Sequence, residues 1–240
     1  MHYLDSKKRL FIADQIVKQK VKSSTGLLRQ LSNFYDIDFK TIDRETERYD
    51  YVSINDTMTY EGRIASAYWS TLSQIFNDLA PDFRFETRKN LSYSWNMNAS
   101  DEISALLNYR YAILESMIRR TINSIGLDTS IGYLHEIAPS KHPLVYDLQE
   151  LFRYVIDYSV IELLETKLKK SDFIVRENYH ICLRPKTAKL LIEKIKDNFN
   201  KRYQFNNKQY TLDNILCEYV RTPSNYISGK QRYWISTSQK

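Results

Sequence analysis

Among its 240 residues the chain has only five glycines and five prolines, and that scarcity constrains its fold more than any other feature. Glycine supplies positive φ at turn corners and proline presets φ for the first corner, so chains of many short strands draw on both. A chain this poor in them favours long helices. The apolar spacing agrees. Between Asp101 and Ser124 a stripe of Ile103, Leu106, Leu107, Ile113, Leu114, Met117, Ile118 and Ile122 keeps helical period, and Gly126 follows as a stop. Arg119-Arg120 suits the negative end of that helix.

The rest of the chain extends the pattern. Ser6 to Lys22 forms a basic amphipathic helix with Leu10, Ala13, Ile16, Val17 and Val21 on its apolar side. Ser23-Ser24-Thr25-Gly26 is expected to interrupt it, with a second helix from Leu27. Asp36 to Tyr51 shows no clear period. Asn55-Asp56-Thr57 caps a helix reaching about Leu79, with Ile64, Tyr68, Leu72, Ile75 and Phe76 inward. Pro81 to Ser100 is a polar, aromatic connector. A helix from Leu144 to about Leu168, apolar on nearly all sides, is the expected centre. Phe173-Ile174-Val175 and Tyr179 to Leu183 form a β-hairpin, and Pro185 opens a helix over about Lys186 to Tyr203. Asn206-Asn207 is a turn, Leu212 to Arg221 a short last helix, and 222–240 a fraying tail. The expectation is a single, mainly α domain over residues 1–240 with one small hairpin.

Lys and Arg exceed Asp and Glu by 35 to 29, a net charge of +6 that is compatible with a polyanionic partner. Cys182 and Cys217 lie far apart in no metal or redox pairing, as expected of reduced cysteines in an intracellular protein. No apolar run approaches the length of a membrane span, which argues against a membrane partner.

The stretch from Gly132 to Arg153, GYLHEIAPSKHPLVYDLQELFR, carries the chemistry. It presents His135, crosses the basic loop Ser140-Lys141-His142-Pro143, and enters a helix bearing Asp147 and Glu150. Carboxylates three residues apart on a helix are neighbours, and two adjacent anions need a cation or a shared proton between them. An imidazole from the preceding loop completes a mixed N/O set suited to Mg²⁺, Mn²⁺ or Zn²⁺. The alternative is a solvated helix face with a loop histidine. Glu61, early in its helix between Tyr60 and Ala65, either faces the helix dipole or points along a half-buried face, where it needs a partner.

Together the segments EGRIASAYW (from Glu61), ALLNYRYAIL (from Ala105), GLDTSIGYLHE (from Gly126) and LVYDLQELFR (from Leu144) resemble the catalytic half of the CRISPR adaptation integrase family. Related casposases, transposon-borne integrases, share the pattern. The likeness runs from IVKQKVKSSTGLL through the Phe199 region, and the third and fourth segments at this spacing are its specific part. The resemblance implies that Glu61, His135 and Glu150 are metal ligands for Mg²⁺ or Mn²⁺ and that Asp147 is a further acidic catalytic position. Glu150 stands where the family often has Asp, and Arg110 where it commonly has a small residue; His142 has no counterpart and is taken as a loop residue. Family members carry a smaller β-rich domain ahead of the helical one. This sequence begins almost at the helical part, so the expectation is a catalytic domain without it.

The implied reaction is transesterification, in which the 3′-hydroxyl of a short DNA attacks a phosphodiester of double-stranded DNA. With water as nucleophile the same site is a nuclease. The implied partners are both DNAs, a second copy in a homodimer, and the second, smaller adaptation protein. Arg84, Arg88, Lys89, Lys141, Lys186 and Lys189 are candidates for phosphate contacts, each against the alternative of a solvated charge. Two other readings stay open: a casposase-like transposon integrase, and a truncated module that binds DNA or a partner without integrating.

Overall fold

The structure is a computed structural model that describes residues 5–47, 52–86, 99–177, 180–205 and 208–227. Helix α1 (Ser6–Leu31) starts where Asp5 accepts hydrogen bonds from the amides of Lys7 and Lys8. It does not stop at Ser23-Ser24-Thr25-Gly26. Ser24, Leu27, Leu28 and Leu31 are all buried, and Thr25 Oγ1 donates back to the carbonyl of Val21 at 2.8 Å. Burial of the stripe on both sides of a weak segment outweighs its low helix propensity.

Helix α2 (Lys40–Glu47) occupies the stretch without clear period and rests on α3 (Ile54–Leu79) through Ile42. The cap of α3 is Ser53, slightly ahead of the expected cluster; its hydroxyl accepts from the Asp56 amide and donates to the Asp56 carboxylate. Helix α4 (Glu102–Ile125) runs from an Asp101 cap to Gly126, whose φ of +79° closes the helix in the left-handed conformation.

The expected long central helix is broken. Helix α5 (Pro143–Gln149) ends, and α6 (Arg153–Leu164) begins after a tight turn in which the amides of Leu151 and Phe152 bond three residues back. Glu150, Leu151 and Phe152 at this turn are all buried. Helix α6 is nonetheless central, packed by α1, α3, α4 and α7.

Strands β1 (Phe173–Val175) and β2 (Ile181–Leu183) form the expected antiparallel hairpin, with Ile174 opposite Cys182. Helix α7 (Pro185–Asn200) follows, then a second hairpin that the sequence pattern did not reveal, β3 (Arg202–Phe205) with β4 (Lys208–Thr211). Its inward residue is Phe205, whose ring meets Tyr219 of the last helix, α8 (Leu212–Ile227), at 5.8 Å. Helix α8 extends beyond the expected Arg221 and through part of the expected tail; residues 228–240 lie outside the described residues. The architecture is mainly α with two small strand pairs. Both cysteines are free and half-buried, and no described helix is long and apolar enough to cross a membrane.

Candidate active site

Three elements converge on one charged cluster. Helix α1 supplies Lys20, α3 supplies Glu61, and the α5–α6 junction supplies Glu150 from the turn and Arg153 as the first residue of α6. The Lys20 ammonium forms ion pairs with both carboxylates, Glu61 and Glu150, and is itself almost fully buried. Arg153 completes the set, with its guanidinium 2.8 Å from the other oxygen of Glu150 and over the ring of Tyr111 at 5.1 Å. Burial is the largest influence on the Glu150 carboxyl and pushes it up, but Arg153 and Lys20 outweigh it and hold the group below its ordinary value. Burial likewise disfavours the charged Lys20, and its two carboxylates more than reverse that, raising it.

Asp147 does something different. Its carboxylate accepts from the backbone amides of Tyr133, Leu134 (3.1 Å) and His135 (2.9 Å), and from His135 Nδ1 at 2.8 Å. Four donors on one buried carboxylate fix the loop and the imidazole together. With Nδ1–H committed to Asp147, Nε2 is the ring's remaining lone pair. Burial lowers the readiness of His135 to protonate, yet the Asp147 hydrogen bond and charge, with a further contribution from Glu150, raise it overall. Arg9 of α1 ties the same loop from outside, donating to the Tyr133 carbonyl at 2.9 Å. Gly132 makes the close approach possible: a Cβ there would lie 2.5 Å from Pro143 Cβ and 2.9 Å from the His135 carbonyl oxygen.

The expected side-by-side carboxylates of Asp147 and Glu150 therefore part company. Asp147 is saturated by loop amides and the imidazole, whereas Glu150, at the helix break, turns to Lys20 and Arg153. Glu61 and Glu150 meet around an ammonium, and His135 is near enough to Glu150 to feel its charge. Among the described residues, no three His, Cys, Asp or Glu side chains already form a metal nest. The donor chemistry nonetheless suits a divalent cation: two carboxylates drawn together by one positive charge, beside an imidazole with an open nitrogen.

His142 is no idle loop residue. It precedes α5, its Nε2 accepts from Arg119 at 2.9 Å, and its Nδ1 bonds Thr129 Oγ1 at 2.9 Å, pinning the active loop to α4. Of the candidate phosphate contacts, Arg84, Lys141, Lys186 and Lys189 are exposed; Lys189 lies 3.9 Å from Glu193 one turn on. Arg88 and Lys89 lie outside the described residues. Sequence reasoning missed Lys20 and Arg153. The signal for Lys20 was present: it occupies a stripe position of α1, three residues after Val17 and four before buried Ser24.

The family description "CRISPR associated protein Cas1" matches residues 1–197. The chain belongs to the Cas1 family. It is 29% identical over 243 residues to a CRISPR-associated endonuclease Cas1 of Francisella tularensis subsp. novicida, covering 96% of this chain and 69% of that protein. A Cas1 endonuclease of Archaeoglobus fulgidus is 24% identical over 223 residues, covering 92% of this chain and 60% of the relative. Among solved structures, a casposase bound to integration product superposes with TM-score 0.88 at 32% identity, over all of this chain and 70% of that one. A Cas1 protein from Thermotoga maritima shares the fold, with TM-score 0.81 at 19% identity over 97% of this chain and 69% of that one. Cas1 membership agrees with the resemblance carried by the four segments, and the helical architecture is that of these relatives.

Proposed function

We propose that this Cas1-family chain is the catalytic part of a DNA integrase with endonuclease activity, joining 3′-hydroxyl ends of short DNA to double-stranded DNA. The observation that carries the proposal is the Glu61–Lys20–Glu150 cluster beside an imidazole locked by Asp147. Glu61, Glu150 and His135 Nε2 are the residues that would hold Mg²⁺ or Mn²⁺. Bound there, such an ion supplies Lewis-acid stabilisation of charge on phosphoryl and leaving oxygens.

The chain's own groups prepare that site. Asp147 fixes the imidazole and the His135 loop, so the ring nitrogen is aimed before DNA arrives. Arg153 and Lys20 keep Glu150 ionised despite its burial. Exposed Arg84, Lys141, Lys186 and Lys189 are available to phosphates, with Arg88 and Lys89 as further sequence candidates. The solved relatives give the proposed partners their basis: the casposase is bound to an integration product, and one Cas1 neighbour belongs to a Cas6-RT-Cas1–Cas2 complex. By that analogy this chain takes duplex target and donor DNA, pairs as a homodimer, and docks a second, smaller adaptation protein. A casposase-like transposon integrase is the second reading, favoured by the 32% identity to a casposase.

Strand transfer tests the proposal. Labelled short DNA with 3′-hydroxyl ends is incubated with supercoiled plasmid, the protein, and Mn²⁺ or Mg²⁺, with EDTA and His135→Ala as controls. Metal-dependent label in relaxed plasmid is the expected result. Label transfer that persists in EDTA or in His135→Ala would overturn the site assignment.

A further inference from the structure

Lys20 sits where two metal-binding carboxylates would otherwise repel each other. Its ammonium reaches both Glu61 and Glu150, and its stem runs through the packed face of α1 between buried Val17 and Ser24. A divalent ion held by the same oxygens cannot share that point with an ammonium, because like charges at contact distance repel strongly in a site shielded from water. The structure offers the ammonium a second position. A small cavity of about 20 Å³ lies directly beside it, lined by Lys20, Ser24, Ala65, Trp69, Tyr111 and Asp157 among others. That is room for one water-sized group. Its walls carry the Ser24 hydroxyl, three aromatic rings (Tyr68, Trp69, Tyr111) and the Asp157 carboxylate, which favour a cation, against the Arg153 guanidinium, which opposes one.

We propose that Lys20 is an internal counter-ion that holds Glu61 and Glu150 together without metal, and that a divalent cation displaces its ammonium into the adjacent cavity. The inference rests on the metal reading of the Glu61, His135 and Glu150 set. Lys20 is thus a positioning residue whose charge competes with the metal. Removing it weakens the resting structure but strengthens metal binding, and a merely structural role produces only the first of these effects.

The test is Mn²⁺ affinity, read by electron paramagnetic resonance of free Mn²⁺ on the full chain, alongside thermal unfolding with EDTA or Mn²⁺. Lys20→Met keeps most of the stem and removes the charge. It is expected to bind Mn²⁺ at least about tenfold more tightly than the wild type and to gain more thermal stability from it. Ala65→Leu fills the cavity from one helical turn beyond Glu61 and is expected to weaken Mn²⁺ binding. His135→Ala is expected to weaken it as well.

If the wild type binds Mn²⁺, His135→Ala weakens binding and Lys20→Met leaves it unchanged, the counter-ion proposal fails while the metal site stands. If neither wild type nor variants bind Mn²⁺, the metal reading falls and takes the proposal with it. A Lys20→Met chain that folds only with Mn²⁺ supports the proposal. Should that variant fail to fold in either condition, Ala65→Leu decides, and wild-type affinity there overturns the displacement.

Discussion

Two buried charge clusters lie almost back to back in this molecule, and only one is built to be opened. In the first, Arg110 of α4 pairs with Asp157 of α6, and Tyr68 of α3 donates to the other Asp157 oxygen at 2.7 Å. The side chains of Arg110 and Asp157 are 0% and 1% exposed, and the guanidinium lies over the rings of Tyr111 and Trp69. Burial and the Asp157 charge push the Tyr68 hydroxyl well above its ordinary value, so it remains a donor. In the second, Lys20, Glu61, Glu150 and Arg153 also balance charge across α1, α3 and the α5–α6 turn. There, however, Glu61 is 24% and His135 33% exposed, so a ligand can enter. The small cavity touches both clusters, with Tyr68 and Asp157 on one side and Lys20 and Arg153 on the other. Charge burial alone thus identifies no function. The difference is an open side, an imidazole, and two anions sharing one cation.

The largest effect expected on that contrast comes from the open cluster. Glu61→Ala and His135→Ala are expected to reduce strand transfer to background with a smaller loss of melting temperature than Glu150→Ala, because both side chains are partly exposed. Glu150→Ala should lose activity equally and also destabilise the fold, since it strands buried Lys20 and Arg153; calorimetry separates the two classes. The closed cluster should behave in the opposite way. Arg110→Met leaves Asp157 buried without its guanidinium and is expected to cost about 3–5 kcal/mol in urea unfolding, with much of it recovered by adding Asp157→Leu. Recovery of stability without recovery in the Glu150 series would sharpen the distinction; equal activity loss in both would break it.

Between these extremes lies the support of the imidazole. Asp147→Asn keeps the shape but places an amide against backbone donors, and strand transfer is expected to fall about 10–100-fold, read with a saturating metal series. Gly132→Ala should act through the same loop. Its Cβ has no room against Pro143, so a loss of about 1–3 kcal/mol with reduced strand transfer is expected. The smallest effects lie outside both clusters. Lys186→Ala or Lys189→Ala should each flatten the salt dependence of DNA binding by about 0.9 in log–log slope if it contacts a phosphate. An unchanged slope would assign that lysine to a solvated face.

Much was legible before any coordinates. The period of α4, its Gly126 stop and the hairpin around Cys182 follow from local rules of side-chain spacing, capping and turn chemistry, whereas the order of four motifs was legible only as a family resemblance. Glu61, His135, Asp147 and Glu150 were singled out by type and order, and the structure pairs Glu61 with Glu150 through Lys20 and His135 with Asp147. The sequence left their division of labour open, because it depends on which atoms meet across α1, α3, α5 and the loop. Asp147 and Glu150 are three residues apart in the chain, yet a helix break sends one to an imidazole and the other to an ammonium. No glycine or proline marks that break in the sequence, so local rules do not announce it. Lys20 shows the same division. Its place in an apolar stripe is local information, but its role as the cation between two distant glutamates belongs to the tertiary structure. Periodicity reports which face of a helix turns inward, whereas only packing decides which charge waits there.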